Sequence, residues 1–238
     1  MKLHLDTSFY PSRLLPVILV ATLSMASFSC KEDPVTVTPI TESNLFPYLP
    51  GRSTTFTTTV LDTLNQQKGN SFKSVLFVNG VLTLGGKAAL QVIDSVYTDT
   101  TGVSYVDTLF FSTENGDLHQ RNVIGLRPFK RVSTAWQVWF NKTAGLAGEY
   151  TIIDPTPDSA KITGQVFPKE DLVLGTTTVQ AYRLEVKVSK ATGYNATYTL
   201  YFSDGKGIVK IIVPVQNYGT ARKSEGYTRT WQRQNFAG

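Results

Sequence analysis

The sequence predicts an all-β protein built on a single antiparallel, strongly curved sheet or half-barrel, with a β-sandwich as the alternative. Three observations carry that expectation. Thirty-one threonines and 23 valines stand against two methionines, and β-branched side chains suit a pleated, half-buried surface. From Leu45 onward no stretch keeps apolar residues at i, i+3, i+4 and i+7, whereas alternation with period two recurs. Dipeptides of Asn, Asp and Gly that favour hairpin turns separate the alternating runs.

Composition fits one globular domain of this kind. The 238 residues are 41% hydrophobic and 17% charged, with a net charge of +5, which excludes collagenous, disulfide-stapled and strongly charged disordered classes. Lysines and arginines are scattered rather than clustered, so the mild excess gives no reason to expect a nucleic-acid partner. Arg127, Lys130 and Arg131 form the nearest approach to a basic patch.

Residues 1–29 read as a signal peptide. Lys2 and Arg13 make a basic start, and Leu14 to Phe28 is an apolar stretch broken by Pro16, Thr22, Ser24 and Ser27. That run is too short and too interrupted to cross a bilayer but suits a secretory signal. It ends in Ser27-Phe28-Ser29-Cys30, and Cys30 is the chain's sole cysteine. A lone thiol can form no internal disulfide. Its position resembles a bacterial lipoprotein signal, in which the cysteine is acylated and becomes the mature N-terminus. Ser27 and Phe28 depart from the leucine and small residue common in that signal. Lys31-Glu32-Asp33 resembles the surface-export signal of Bacteroidota lipoproteins. Residues 30–44 would then be a lipidated N-terminus and extended tether, carrying Pro34, Pro39 and several threonines.

Residues 45–238 read as one antiparallel β domain. In 182–188 (YRLEVKV), Tyr182, Leu184, Val186 and Val188 share one face and Arg183, Glu185 and Lys187 the other. In 194–202 (YNATYTLYF), Tyr194, Ala196, Tyr198, Leu200 and Phe202 share a face. Further strands are expected at 54–61, 71–78, 81–84, 88–97, 103–112, 118–124, 134–140, 160–167, 172–180, 207–213 and 226–232. Asn79-Gly80, between Val75–Val78 and Val81–Leu84, is the strongest expected type I′ hairpin turn. Asn115-Gly116 and Asp204-Gly205 repeat its chemistry, and Gly85-Gly86 marks another turn.

Leu45-Phe46-Pro47-Tyr48-Leu49-Pro50-Gly51 before a Thr-rich strand resembles the opening of β-rich domains in exported Bacteroidota lipoproteins. Gly85-Gly86-Lys87, Glu114-Asn115-Gly116-Asp117-Leu118 and Asp204-Gly205-Lys206-Gly207-Ile208-Val209-Lys210 are similar to turns of the same group. The resemblance implies a curved sheet able to cup an apolar ligand and says little of activity. Asp-(Ser/Thr) pairs also resemble the O-glycosylation acceptor of that group, which would make Thr63, Ser95, Thr100, Thr108 and Ser159 modified surface positions. Ordinary turn and strand-edge chemistry explains the same pairs.

Catalytic signals are weak. His119 is the one histidine of the mature chain and reads as a solvent-facing strand residue, which leaves no Ser-His-Asp or Cys-His arrangement. The His, Cys and acidic ligands of a zinc site are missing, no phosphate-cradling glycine loop occurs, and no cofactor or metal is expected. Glu114 with Asp117, Glu170 with Asp171, and Asp204 are carboxylates that glycoside hydrolysis could use, but all flank turns. Trp136 and Trp139 lie three apart, hence on opposite sides of a strand. One could fill the core while the other stacks on a sugar or covers a cleft.

The expectation is therefore a non-enzymatic lipoprotein that binds or scaffolds, anchored in the outer membrane at the cell surface, with the periplasmic face as the alternative location. Its expected partner is the membrane, through the lipid. An apolar small molecule held in a half-barrel, or a glycan, is the alternative ligand. A fully interdigitated core would remove the half-barrel carrier, and an apolar pocket of several hundred Å³ would favour it.

Overall fold

A computed structural model describes residues 45–62, 64, 66–98, 102–121, 135–141, 144, 146–154, 161–189, 195–214, 216–217, 223–224 and 226–236. They form fourteen strands: β1 Arg52–Leu61, β2 Phe72–Leu84, β3 Lys87–Thr98, β4 Gly102–Glu114, β5 Asp117–Gln120, β6 Gln137–Phe140, β7 Tyr150–Ile153, β8 Lys161–Leu174, β9 Thr177–Ser189, β10 Asn195–Ser203, β11 Gly207–Val213, β12 Gln216–Asn217, β13 Lys223–Ser224 and β14 Gly226–Phe236. β12 and β13 make a small separate ribbon. The other twelve make one antiparallel sheet in the order β6-β5-β4-β3-β2-β1-β14-β11-β10-β9-β8-β7, curved almost into a closed barrel.

The topology explains the curvature. Two meanders, β1–β6 and β7–β14, join where β1 pairs with β14 along ten residues. Their free edges, β6 and β7, then face each other as consecutive strands. At this seam the Tyr150 hydroxyl donates to the Trp139 carbonyl and accepts the Asn141 N–H at 3.3 Å. Burial pushes the Tyr150 hydroxyl pKa well above its usual value, so it stays protonated and can donate.

The expected alternations hold where they were clearest. Leu184, Val186 and Val188 of β9, and Tyr198, Leu200 and Phe202 of β10, are all buried in the main core. Phe56, Phe111, Trp139 and Phe140 join them from the other meander. The β-sandwich alternative does not apply, since one sheet supplies this core from both halves.

Three local expectations are corrected. Asn79-Gly80 is not a turn: β2 runs through it from Phe72 to Leu84, and the register shifts by one residue between Val78 and Gly80. It is a bulge, because β3 pairs with β2 on both sides of it, from Val78 opposite Val92 to Gly80 opposite Gln91. Conversely, 172–180 is not one strand. Leu174 pairs with Thr177, so Gly175-Thr176 is a two-residue hairpin loop with positive φ at its first position, as a type II′ turn requires. Asp204-Gly205 is not a type I′ turn either. The loop has three residues, Lys206 N–H donating to the Ser203 carbonyl at 3.1 Å, with only Gly205 of the pair at positive φ. Gly85-Gly86 and Asn115-Gly116 do have positive φ at both positions and close tight hairpins as expected. β5 stops at Gln120 rather than 124, and β7 was not expected at all.

All four tight hairpin loops, at 85–86, 115–116, 175–176 and 204–206, lie at one end of the sheet, as does the start of β1. The connections β1–β2, β3–β4 and β5–β6 leave from the other end, whereas residues 141–149 join β6 to β7 from the tight-turn side.

Candidate functional site

The segment before β1 shapes the tight-turn end. Leu45, Pro47 and Tyr48 are buried although they belong to no strand. Phe46 packs edge-on against Phe140 and Phe202, at centroid distances of 5.4 and 5.5 Å. Tyr48 stacks on Phe111 at 5.6 Å. Its hydroxyl accepts the Ile208 N–H at 3.0 Å, and burial raises its pKa far above the usual phenol value. Gly207 makes room for it: a Cβ there would lie 2.9 Å from the Tyr48 hydroxyl oxygen. The Arg52 guanidinium donates to the Pro47 carbonyl at 2.6 Å and fixes the segment at its exit. The aromatic-proline opening noted in the sequence is thus an internal plug, whose packing role the sequence reading did not foresee.

Among the described residues, a concavity lies beside the plug. A cleft of about 470 Å³ lies between Tyr48, the β2–β3 tip and the end of β4. Tyr48, Val81, Ala88, Leu90 and Phe111 give it an apolar side; Lys87, Ser112, Thr113 and Glu114 give it a polar one. A second, polar cleft of about 330 Å³ involves Glu149, Lys161, Thr163, Lys187 and Asn195. There Lys187 Nζ lies 3.0 Å from Glu149.

Lys87 donates to Glu114, and that bond, then the lysine's charge, holds the Glu114 carboxyl below the usual range. His119 Nε2 lies 3.9 Å from Glu114. The His119 side chain is on the outer face, as expected, but is only 13% exposed, a correction to the solvent-facing reading. Burial first, and Lys87 second, lower its pKa.

This chemistry is poor for glycoside hydrolysis. An acid catalyst must hold its proton near neutral pH, whereas Glu114 is biased towards the ionised form. Glu170 lies 3.7 Å from Arg183, and Asp171 accepts from Gln180. The tryptophans are likewise committed. Trp139 is buried in the core. Trp136 donates to the Leu84 carbonyl at 3.0 Å, under the β2–β3 tip. Trp231 is partly buried against both apolar clusters, with Lys206 Nζ 5.9 Å from its ring centre. None of the three is an exposed sugar platform beside Glu114, Asp117 or Asp204.

Of the acceptor pairs, Ser95 and Thr108 lie in mid-strand on β3 and β4. Their aspartates, Asp94 and Asp107, face each other across the ladder, with Asp94 buried. Asp62 caps its own turn, its carboxylate accepting the Leu64 and Gln66 N–H groups at 2.8 and 2.9 Å. Thr63, Thr100 and Ser159 lie outside the described residues, as do Cys30, Lys31, Glu32, Asp33, the 30–44 tether and the basic residues Arg127, Lys130 and Arg131.

No family model and no curated protein matches the chain. Among solved structures, it is similar to a "putative lipoprotein" from Parabacteroides distasonis, with 11% identity and a TM-score of 0.50 over 81% of this chain and 98% of that one. A "putative exported protein with YmcC-like fold" from Bacteroides fragilis is 10% identical, with a TM-score of 0.42 over 81% of this chain and 99% of that one. The first likeness is one of fold, and it extends over nearly the whole of that protein.

Proposed function

We propose that this chain is a lipid-anchored lipoprotein of the bacterial cell envelope whose β domain binds or scaffolds rather than catalyses. Cys30 carries the acyl chains, Lys31, Glu32 and Asp33 direct export, and residues 30–44 tether the domain at the outer membrane, on the cell surface. The observation that carries the reading is the position of the sole cysteine, directly after an apolar signal stretch and before a charged, proline-containing linker. Fold likeness to a chain described as a lipoprotein supports it. Two lipid signals already give stable membrane attachment, so a multiply acylated cysteine needs no spanning segment.

The non-catalytic part of the reading follows from the carboxylates: Lys87 holds the Glu114 carboxyl below its usual range, Glu170 lies beside Arg183, and Asp171 accepts from Gln180. Palmitate labelling and membrane fractionation of a Cys30→Ser variant test the anchor. The label should disappear and the protein should leave the membrane fraction; a labelled, membrane-bound variant would sink the proposal.

A second reading, a binder of an apolar ligand, is favoured by the cleft beside Tyr48. The plug packs against Phe111, Phe140 and Phe202 inside the curved sheet, and the cleft lies beside it.

A further inference from the structure

Across the outer face of the sheet, one register row gathers cations, hydroxyls and aromatic rings. Lys73 of β2 stands opposite Thr57 of β1, and Thr57 opposite Thr230 of β14. Thr230 in turn faces Lys210 of β11, which pairs with Tyr201 of β10. Their sequence neighbours Ser74, Phe56, Ile211 and Leu200 are buried on the inward side, which places the row on the opposite face. The row is nearly symmetric about the β1–β14 pair. At one end Lys73 Nζ lies 5.4 Å from the centre of the Tyr97 ring of β3, and at the other Lys210 Nζ lies 6.0 Å from that of Tyr201. The order Tyr–Lys–Thr–Thr–Lys–Tyr thus crosses six neighbouring strands, about 24 Å at the usual strand spacing.

Charge in this part of the sheet is one-sided. The neighbours β2, β1, β14 and β11 contain no aspartate or glutamate, yet they carry Arg52, Lys73, Lys210, Arg229 and Arg233. Arg52 is committed to the Pro47 carbonyl. Lys73 is exposed and Lys210 half-buried, and their partners are ring faces rather than carboxylates. An ammonium over a ring gains only a modest attraction at such a site, so an incoming anion can draw it away. One strand further on the situation differs. Arg183, opposite Tyr201, is stacked on Phe167 at 4.0 Å and already paired with Glu185 and Glu170.

The ligand that fits has acidic groups for the two lysines, hydroxyls for the two threonines between them, and rings for the tyrosine faces. Strand spacing is also close to the advance of one pyranose ring along an extended glycan, so successive strands meet successive sugars. We propose that this row binds an acidic polysaccharide lying across the strands, its carboxylates on Lys73 and Lys210, its hydroxyls on Thr57 and Thr230, and its rings against Tyr97 and Tyr201. The inference rests on the binding role proposed above and not on the lipid anchor.

The test titrates the full chain carrying Cys30→Ser calorimetrically with an oligogalacturonate of about six sugars, one per strand of the row. Saturable one-to-one binding is expected, weakening as salt is raised. Lys73→Gln and Lys210→Gln should each weaken it about fivefold. Lys187→Gln removes the same charge from a lysine paired with Glu149 outside the row, and should leave the affinity within about twofold. An unaltered strand spectrum by circular dichroism verifies that each variant folds. A neutral malto-oligosaccharide of the same length should bind at least about tenfold more weakly, and equal affinity would overturn the acidic assignment. An oligoglutamate of matching charge should also bind at least about tenfold more weakly. Equal affinity there would replace the glycan by an acidic peptide. Absence of saturable binding, or equal effects of Lys73→Gln and Lys187→Gln, would overturn the site. Failure here leaves the palmitate and fractionation result untouched, and failure of the anchor leaves this titration valid.

Discussion

The two longest hairpins of the sheet, β2–β3 and β8–β9, are built alike and end differently. Each reaches the tight-turn end, and each carries a one-residue bulge in its first strand, between Val78 and Gly80 or between Phe167 and Glu170. A bulge reverses which side chains face the core. Before it, Val78 opposite Val92 and Val166 opposite Leu184 point into the main core. Beyond it the two hairpins part. The β8–β9 tip buries Leu172, Leu174, Val179 and Ala181 with Val209 in a second cluster, covered partly by Tyr201 and Trp231. Among the described residues the β2–β3 tip shows no such cluster. Leu82 and Leu84 stay half-buried, Val81 is exposed, and the tip is held by the Trp136–Leu84 hydrogen bond and the Lys87–Glu114 pair. One tip is packed and the other is latched by polar groups. The latched one borders the cleft, and a wall retained by a few polar contacts can adjust to an occupant more readily than a packed one.

The largest expected effect separates those two modes of attachment. Leu174→Ala should destabilise the domain by about 2–4 kcal/mol, the usual range for truncating a buried leucine. Leu84→Ala, at the matching position before the other turn, should cost about 1 kcal/mol, because less apolar surface is lost. Denaturant midpoints of the two variants decide it, and equal losses would show that the β2–β3 tip is packed as firmly as its counterpart.

A smaller contrast concerns the glycines of the same hairpins. Gly175 has a φ of 63° and nothing within 4 Å of a built Cβ, so Gly175→Ala is penalised by backbone conformation alone, by about 1 kcal/mol. Gly80 also has open space but lacks positive φ. Gly80→Ala should therefore be neutral or stabilising by a few tenths of a kcal/mol, through reduced freedom of the unfolded chain. Were Asn79-Gly80 a type I′ turn, Gly80→Ala would cost about as much as Gly175→Ala, so thermal unfolding of the pair reads out the strand connectivity directly.

That pair also shows what the sequence can and cannot reveal. Alternation in 182–188 and 194–202 was legible because both faces of each strand have distinct environments. Asn115-Gly116 was legible because a lone turn dipeptide between two short runs has no competing use. Asn79-Gly80 carries the same local chemistry, and only the continued pairing of β2 with β3 before and after it makes it a bulge. Gly175-Thr176 was hidden for the opposite reason, since the threonines around it read as a continuous strand. Of the candidate site, Glu114 and the carboxylate pairs were visible as turn-flanking acids. The Tyr48 plug was not, because its partners Phe111, Gly207 and Ile208 lie 63 to 160 positions away and no local pattern announces them.

The smallest effect tests the polar latch through pH. His119 has a folded-state pKa below its ordinary value of about 6.5, from burial and the nearby Lys87 charge. The unfolded chain therefore binds the proton more readily. Stability contributed by neutral His119 is complete above about pH 6.5 and falls as pH drops below it towards the folded-state value. Glu114, also lowered, acts in the same direction but only further into acid, as pH falls through the carboxylate range. His119→Gln removes the first of these proton-uptake steps and keeps a polar group at the site. Unfolding free energies of this variant and the parent chain should diverge between about pH 7 and 5, the parent losing stability faster on acidification. Parallel curves would mean that His119 titrates as it would in water, and that the Lys87–Glu114–His119 contact does not tie the β2–β3 tip to β5 in solution.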